Sequence, residues 1–169
     1  MKKRLCLALA VVLALGLSAC GNGGAPGFSG GGENGAPPLY FSGHVAKIDE
    51  SGAFTAELYD MEELDADIAF MLYRLGDYGL EREELKECTA LRSAGATCEE
   101  AAVLVFTGAD EAKTAEDALK DYIAGQIDEN TDYRPAEIPK LENAWISRRG
   151  ETVLLVVAND LDAAKKAVE

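Results

Sequence analysis

Two short apolar runs place the strongest constraint on how this chain folds. Residues 103–106 read Val-Leu-Val-Phe, and residues 153–157 read Val-Leu-Leu-Val-Val. A strand without polar positions is typical of the middle of a sheet, where it is covered on both faces or flanked by partner strands. Arg149-Gly150 lies just before the second run and supplies a tight turn, because glycine adopts positive φ without steric cost. We therefore predict that each run is an inner strand of a sheet.

The other elements are predicted from periodicity and turn residues. Strands are predicted over residues 87–92, 101–107, 143–148 and 152–158, with a helix over residues 110–129 and a final short helix capped by Asn159 or Asp160. This β-β-α-β-β-α order favours an α+β fold. We predict one four-stranded antiparallel sheet in the spatial order 1-2-4-3, packed by helices on one face and preceded by an N-terminal helix.

That N-terminal helix is predicted to begin at Asp60, which can cap it together with Glu63 three residues later. Apolar side chains then recur at helical spacing; they are Leu64, Ile68, Leu72 and Leu75. Gly76 and Gly79 are expected to end the helix. A short helix over residues 44–50 is also compatible with the pattern.

The first twenty residues have the features of a lipoprotein leader. A basic start, Met1 to Arg4, precedes an apolar stretch of 13 residues from Leu5 to Leu17, whereas a membrane-spanning helix needs about 20 residues. The sequence Leu17-Ser18-Ala19-Cys20 resembles a lipobox. We predict that residues 1–19 are a lipoprotein signal peptide and that Cys20 carries diacylglycerol, whose two acyl chains give stable attachment to the membrane. An ordinary signal peptide with a chance cysteine is the alternative.

A flexible tether is predicted to follow the lipidated cysteine, over residues 20–38. Residues 21–38 include eight glycines and three prolines, a composition that cannot bury enough apolar surface to offset the entropy lost on ordering. Residues 39–169 are predicted to form a single α+β domain. The expected location is the extracytoplasmic face of the cell membrane, with the membrane itself as a partner through the lipid.

The net charge of the mature chain limits the classes of molecule that it is expected to bind. The leader holds three of the 16 basic residues and none of the 30 acidic residues, so the mature part has a formal net charge of −17. Nucleic-acid binding requires a basic patch, and the sequence has no such cluster, so we predict no nucleic-acid partner. Cationic ligands or basic protein partners are electrostatically easier to bind.

Two cysteines remain in the mature domain after Cys6 leaves with the leader and Cys20 is lipidated. In an oxidising location, Cys88 and Cys98 are predicted to form a structural disulfide across a hairpin that turns near residues 93–95. Two free buried thiols are the alternative. Nine residues separate these cysteines, which is too many for a catalytic redox pair.

The sequence offers little for catalysis. His44 is the single histidine and lies near the tether, which makes a Ser-His or Cys-His site improbable. We predict no catalytic residues, no metal site and no cofactor. Glu100 and Glu137 are the carboxylates that could act as acids if the chain were a hydrolase.

Tyr133-Arg134-Pro135 offers a stackable ring and a planar donor on a restrained backbone. With Glu100 and Glu137, these residues are the candidate surface for a ligand or protein partner. The alternative for Tyr133 is a structural role, in which its ring packs under the sheet.

Several short segments resemble one protein family. They are Phe54 to Leu58 with Tyr73, Gly95 to Val103, Tyr133-Arg134-Pro135-Ala136-Glu137, and the apolar strand Gly150 to Asp160 that ends in Asn-Asp. Over roughly residues 54–160, the chain is similar to an uncharacterised family of Gram-positive lipoproteins, the domain of unknown function numbered 4358. The resemblance implies lipoprotein architecture and an unassigned role, with no catalytic residues to transfer and no cysteine pair.

These observations favour a lipid-anchored, non-enzymatic module that binds a protein or small ligand at the cell envelope. The alternative is a carboxylate-dependent hydrolase of envelope polymers that uses Glu100 and Glu137. A third possibility is a structural surface protein without a specific ligand.

Overall fold

Five antiparallel strands form the centre of the fold in the computed structural model of this chain. The structure describes residues 37–55, 61–95 and 97–169. The predicted signal peptide, the predicted lipidation site Cys20 and the predicted tether as far as residue 36 lie outside the described residues. Among the described residues, no helix is both long enough and apolar enough to cross a bilayer.

The strands lie in the order β1-β2-β3-β5-β4. Their bounds are Met61–Leu64 (β1), Leu85–Ser93 (β2), Glu100–Phe106 (β3), Trp145–Arg149 (β4) and Thr152–Val157 (β5). Both inner apolar strands are almost completely buried, and β3 pairs directly with β5. The overall class is α+β.

The helices are Gly43–Glu50 (α1), Ala66–Leu72 (α2), Ala109–Asn130 (α3), Ile138–Glu142 (α4) and Leu161–Val168 (α5). Short 3-10 turns lie at Leu75–Tyr78, Arg82–Glu84 and Pro135–Glu137. Helix α2 begins after Asp65, whose Oδ1 accepts a hydrogen bond from the Ile68 amide at 2.8 Å. The predicted helix therefore begins too early: the segment before Asp65 is a strand.

Both faces of the sheet are covered. Ala102, Leu104 and Phe106 of β3 point into a core shared with α2 and α3. Ala101 and Val103 point the opposite way, into a second core built with α1 and α5. This alternation is the period of two expected of a strand. It explains why β3 has no polar position after Glu100.

The prediction of a four-stranded sheet in the order 1-2-4-3, with helices on one face, is wrong. The sheet has a fifth strand, β1, which pairs with β2 through Met61–Ser93 and Leu64–Ala90. In the sequence, the spacing of Leu64 and Ile68 fits a helix as well as a strand, because four residues are too few to define a period. Residues 61–64 form a strand because their backbone pairs with β2. Helices α1 and α5 cover the face that was predicted to be open.

The predicted disulfide between Cys88 and Cys98 is also wrong, because both thiols are free. Cys88 lies opposite Leu104 in the β2–β3 hairpin, and the amide of Ser93 donates to the carbonyl of Glu99. The bond between Ser93 and Glu99 thus places the turn later in the chain than predicted. Leu104, the register partner of Cys88, lies six residues after Cys98. Six residues of extended chain span roughly 20 Å, whereas a disulfide requires Cα atoms within about 7 Å.

We predict that both cysteines stay reduced in the folded protein. Burial raises the pKa of Cys88 to about 12 and also raises the pKa of Cys98, so neither thiol is readily ionised for oxidation. Alkylation of unreduced, denatured protein, followed by reduction and a second alkylating reagent, should place the first label on both cysteine peptides. A linked peptide pair containing Cys88 and Cys98 would contradict the register described above.

Candidate functional site

The carboxylate of Glu100 is buried beneath a cleft between helix α3 and the segment that follows α2. Glu100 is the first residue of β3, and its side chain is 3 % exposed. The hydroxyl of Tyr73 donates to Oε1, and the hydroxyl of Tyr122 donates to Oε2 at 2.9 Å. Arg92, its register partner on β2, places Nε 3.9 Å from Oε2. The carboxylate is therefore satisfied chiefly by two neutral donors.

The two tyrosines reach Glu100 from different elements. Tyr73 terminates α2 and is completely buried, whereas Tyr122 lies in the middle of α3 and is partly exposed. Their rings pack edge to face, with centroids 5.1 Å apart. The interaction of Tyr73 and Tyr122 with Glu100 thus ties α2 and α3 to the start of β3.

Burial controls the protonation of this group. It raises the pKa of Glu100, although the two tyrosine hydrogen bonds and Arg92 act in the opposite direction. Burial raises the pKa of Tyr73 and of Tyr122, and the adjacent Glu100 carboxylate adds to both shifts. Both hydroxyls therefore remain protonated donors, and neither is activated as a base or nucleophile.

The cleft above this group has a volume of about 570 Å³. Its walls come from the segment Leu72–Tyr78 and from α3, and Arg92 contributes from the sheet. Gly125 of α3 borders open space, since a Cβ placed there would have no atom within 4 Å. The hydroxyl of Tyr78 donates to Asp121 and so links the two walls.

Arg74 on the cleft rim has an unusual backbone conformation. Its φ is 54°, and it is the one non-glycine residue with positive φ in the part of the chain that the structure describes. A non-glycine residue in the left-handed region costs roughly 1–2 kcal/mol. Its guanidinium forms an exposed ion pair with Asp77 at 2.6 Å. Arg74 directly follows Tyr73, the C-cap residue of α2, and its amide donates to the Met71 carbonyl, so this left-handed residue ends the helix at the rim of the cleft.

A second buried polar group surrounds Glu99. Its carboxylate accepts from the amide and hydroxyl of Thr55 and from Lys140 Nζ at 3.2 Å. Lys140 also contacts Glu137, whose Oε2 accepts from the Cys98 amide at 2.8 Å. These hydrogen bonds and ion pairs hold the segment before β3 in place, and we interpret this group as structural.

The residues of the predicted ligand surface have different surroundings in the structure. Glu100 lies beneath the cleft, whereas Glu137 belongs to the Lys140 network. Tyr133 is 81 % exposed and so does not pack under the sheet. Arg134 donates to Asn130 Oδ1 at 2.7 Å and to the Gly95 carbonyl at 2.9 Å, which holds the β2–β3 turn against the end of α3.

Sequence reasoning missed the residues that complete the site around Glu100. The helical pattern over residues 110–129 does not single out Tyr122, and the sequence analysis assigns no site role to Tyr73, Arg92 or Arg74. The register of the β2–β3 hairpin could have placed Arg92 opposite Glu100, if the turn had been centred correctly. Residues 37–55, 61–95 and 97–169 contain no group of three or more acidic, cysteine or histidine side chains that could hold a metal ion.

Comparison with known proteins gives one family. The sequence model of the family described as "Domain of unknown function (DUF4358)" matches residues 55–158, which is more than half of the chain. No curated protein and no solved structure matches the chain. The matched range contains Glu100 together with Tyr73, Tyr122 and Arg92.

We predict that Glu100→Gln changes how stability depends on pH. Because the pKa of Glu100 is raised above its ordinary value of 4.5, the folded state holds this proton more tightly than the unfolded state does. The group therefore contributes stability at low pH that is lost as pH rises from 4.5 through the folded pKa. The unfolding free energy of wild type minus that of Glu100→Gln should fall across this window.

Urea unfolding at a series of pH values measures this difference. Glu142→Gln is the matched control, because Glu142 is an exposed glutamate and its substitution removes the same charge. A difference for Glu100→Gln that rises with pH, or that does not change, would contradict the assignment.

Proposed function

The chain belongs to the DUF4358 family, and we propose that it is a lipid-anchored binding module on the extracytoplasmic face of the cell membrane. The family description assigns no activity, so the proposal rests on features of this chain. The observation that carries it is the cleft between Leu72–Tyr78 and α3, with the hydrogen-bonded Glu100 group beneath it.

The cleft has the properties of a ligand site. Its volume lies within the range of roughly 300–1,000 Å³ that is usual for small-molecule pockets. Its walls are held by buried hydrogen bonds from Tyr73 and Tyr122, so its shape is largely formed before a ligand arrives.

The lipid anchor is supported by the leader sequence. The basic start, the 13-residue apolar stretch and Leu17-Ser18-Ala19-Cys20 together favour a lipoprotein.

Tyr40 and α1 pack on one face of the sheet, whereas the cleft lies on the α3 face. The cleft is thus on the opposite side of the sheet from the segment through which the chain enters the fold.

The hydrolase alternative is less well supported by the geometry. A two-carboxylate mechanism needs its acids on either side of the scissile bond. Glu100 accepts from two tyrosines, whereas Glu137 accepts from the Cys98 amide and Lys140. Among the hydrogen bonds and ion pairs of the described ranges, Glu100 and Glu137 share no partner.

We predict that attachment to the membrane depends on Cys20. In detergent-phase separation, the wild-type protein should enter the detergent phase, because two acyl chains give stable attachment. Cys20→Ser removes the thiol that accepts the lipid and should move the protein to the aqueous phase. Cys98→Ser is the control, since it removes a thiol but leaves the leader unchanged. Detergent partitioning of Cys20→Ser would contradict lipidation at this residue.

We also predict that the cleft is occupied in the native membrane. A photo-crosslinking residue in place of Gln126, which lines the cleft, should give a reproducible adduct in intact cells. The same residue in place of Asp162, on α5 at the other face of the sheet, is the control. Adducts that are absent at position 126, or identical at both positions, would contradict a binding role for the cleft.

A further inference from the structure

Positive and negative side chains lie on different walls of the cleft. Arg92 reaches it from the sheet, and its side chain is 35 % exposed. In the part of the chain that the structure describes, its one ion-pair partner is Glu100, at 3.9 Å. A guanidinium carries five N–H donors in a planar fork. Most of this hydrogen-bonding capacity therefore remains available to a ligand.

Glu100 is a weak competitor for that guanidinium. Its two oxygens already accept from Tyr73 and Tyr122, and the distance from Arg92 Nε exceeds that of a hydrogen bond. Burial raises the pKa of Glu100 and so disfavours its charged form. Because no close hydrogen bond holds it to Glu100, the guanidinium of Arg92 can pair with a group that enters the cleft.

The α3 wall carries the opposite charge. Asp121 and Glu129 both line the cleft and are exposed. They lie eight residues apart on one helix, or roughly 12 Å along its axis. Arg74 is already paired with Asp77 at 2.6 Å and so adds little net charge. The cleft therefore presents a cation from the sheet and carboxylates from the helix.

This arrangement discriminates between ligand classes. A simple anion must approach a mature chain whose formal net charge is −17, and long-range repulsion opposes its entry. A simple cation meets Arg92 inside the cleft. A zwitterion has no net charge to be repelled, and each of its ends can meet the opposite charge.

We propose that the cleft binds a short peptide with free termini, whose carboxylate pairs with Arg92 and whose ammonium group lies towards Asp121 and Glu129. This inference rests on the proposed binding function and adds the ligand class. A planar guanidinium can bind a carboxylate through two parallel hydrogen bonds, which fixes orientation as well as charge. A volume of about 570 Å³ is large for one amino acid and suits a short peptide.

Four small probes test the two ends separately. They are L-alanyl-L-alanine, its N-acetyl derivative, its C-terminal amide and free L-alanine. Each is titrated at millimolar concentrations into the mature chain from residue 20 carrying Cys20→Ser, with binding followed by amide chemical shifts. The dipeptide should bind saturably and shift the resonance of Gly125. Each blocked derivative and free alanine should bind at least several-fold more weakly.

Substitution of Arg92 tests the anchor. Arg92→Gln should weaken dipeptide binding by about tenfold or more, because the charge-assisted pair with the carboxylate is lost. Arg92→Lys keeps the charge without the fork and should lose less affinity. Arg148→Gln is the matched control, since Arg148 is 34 % exposed and pairs with Glu116 outside the cleft. It should bind the dipeptide as wild type does.

The outcomes separate this inference from the proposed function. Equal binding of the dipeptide and its amide, or unchanged binding by a folded Arg92→Gln protein, would overturn the assignment of Arg92. The absence of saturable binding by any probe would overturn the peptide class. If the crosslink at position 126 still forms in that case, the cleft remains a binding site for a different ligand. If neither is seen, the binding function fails as well.

Discussion

The buried carboxylate of Glu100 is the constraint on which the arrangement of this domain depends. A carboxylate removed from water without partners is strongly destabilising, so elements that carry donors must come to it. Tyr73 brings the end of α2, and Tyr122 brings the middle of α3. The walls of the cleft are therefore positioned by the same hydrogen bonds that make burial of Glu100 tolerable. Loss of either hydroxyl would leave a polar group unsatisfied and also release one wall.

The strands of the sheet were easier to predict from the sequence than its edges and faces. The apolar runs in β3 and β5 indicate inner strands, because a strand that is covered on both faces buries nearly all of its side chains. The edge strand β1 has only four residues, and its place is decided by pairing with β2, which no local pattern reveals. Alternating burial of Leu104 and Val103 into different cores requires cover on both faces. A sheet covered on one face cannot bury both of these side chains.

The candidate site was less accessible to sequence reasoning, since it is assembled from distant elements. Glu100 stands out as an acid at the start of an apolar strand, but its partners lie 27 and 22 residues away. Arg92 could be placed opposite Glu100 only with the correct centre of the β2–β3 turn. The same error in the turn produced the disulfide prediction for Cys88 and Cys98. The misplaced turn therefore accounts both for the wrong disulfide prediction and for the missed pairing of Arg92 with Glu100.

Adjacent Glu99 and Glu100 show how two buried acids can be satisfied in different ways. Glu99 takes Lys140, a cation that it shares with Glu137, and the resulting network fixes the entry to β3. Glu100 takes two neutral hydroxyls and keeps Arg92 at the longer distance of 3.9 Å. If Arg92 were bound to Glu100 as closely as Lys140 is to Glu99, the cleft would lose its available cation. The two tyrosines satisfy the carboxylate without a close ion pair, which leaves the guanidinium of Arg92 for the ligand that we propose. The same hydrogen bonds therefore stabilise the fold and position the walls of the proposed binding cleft.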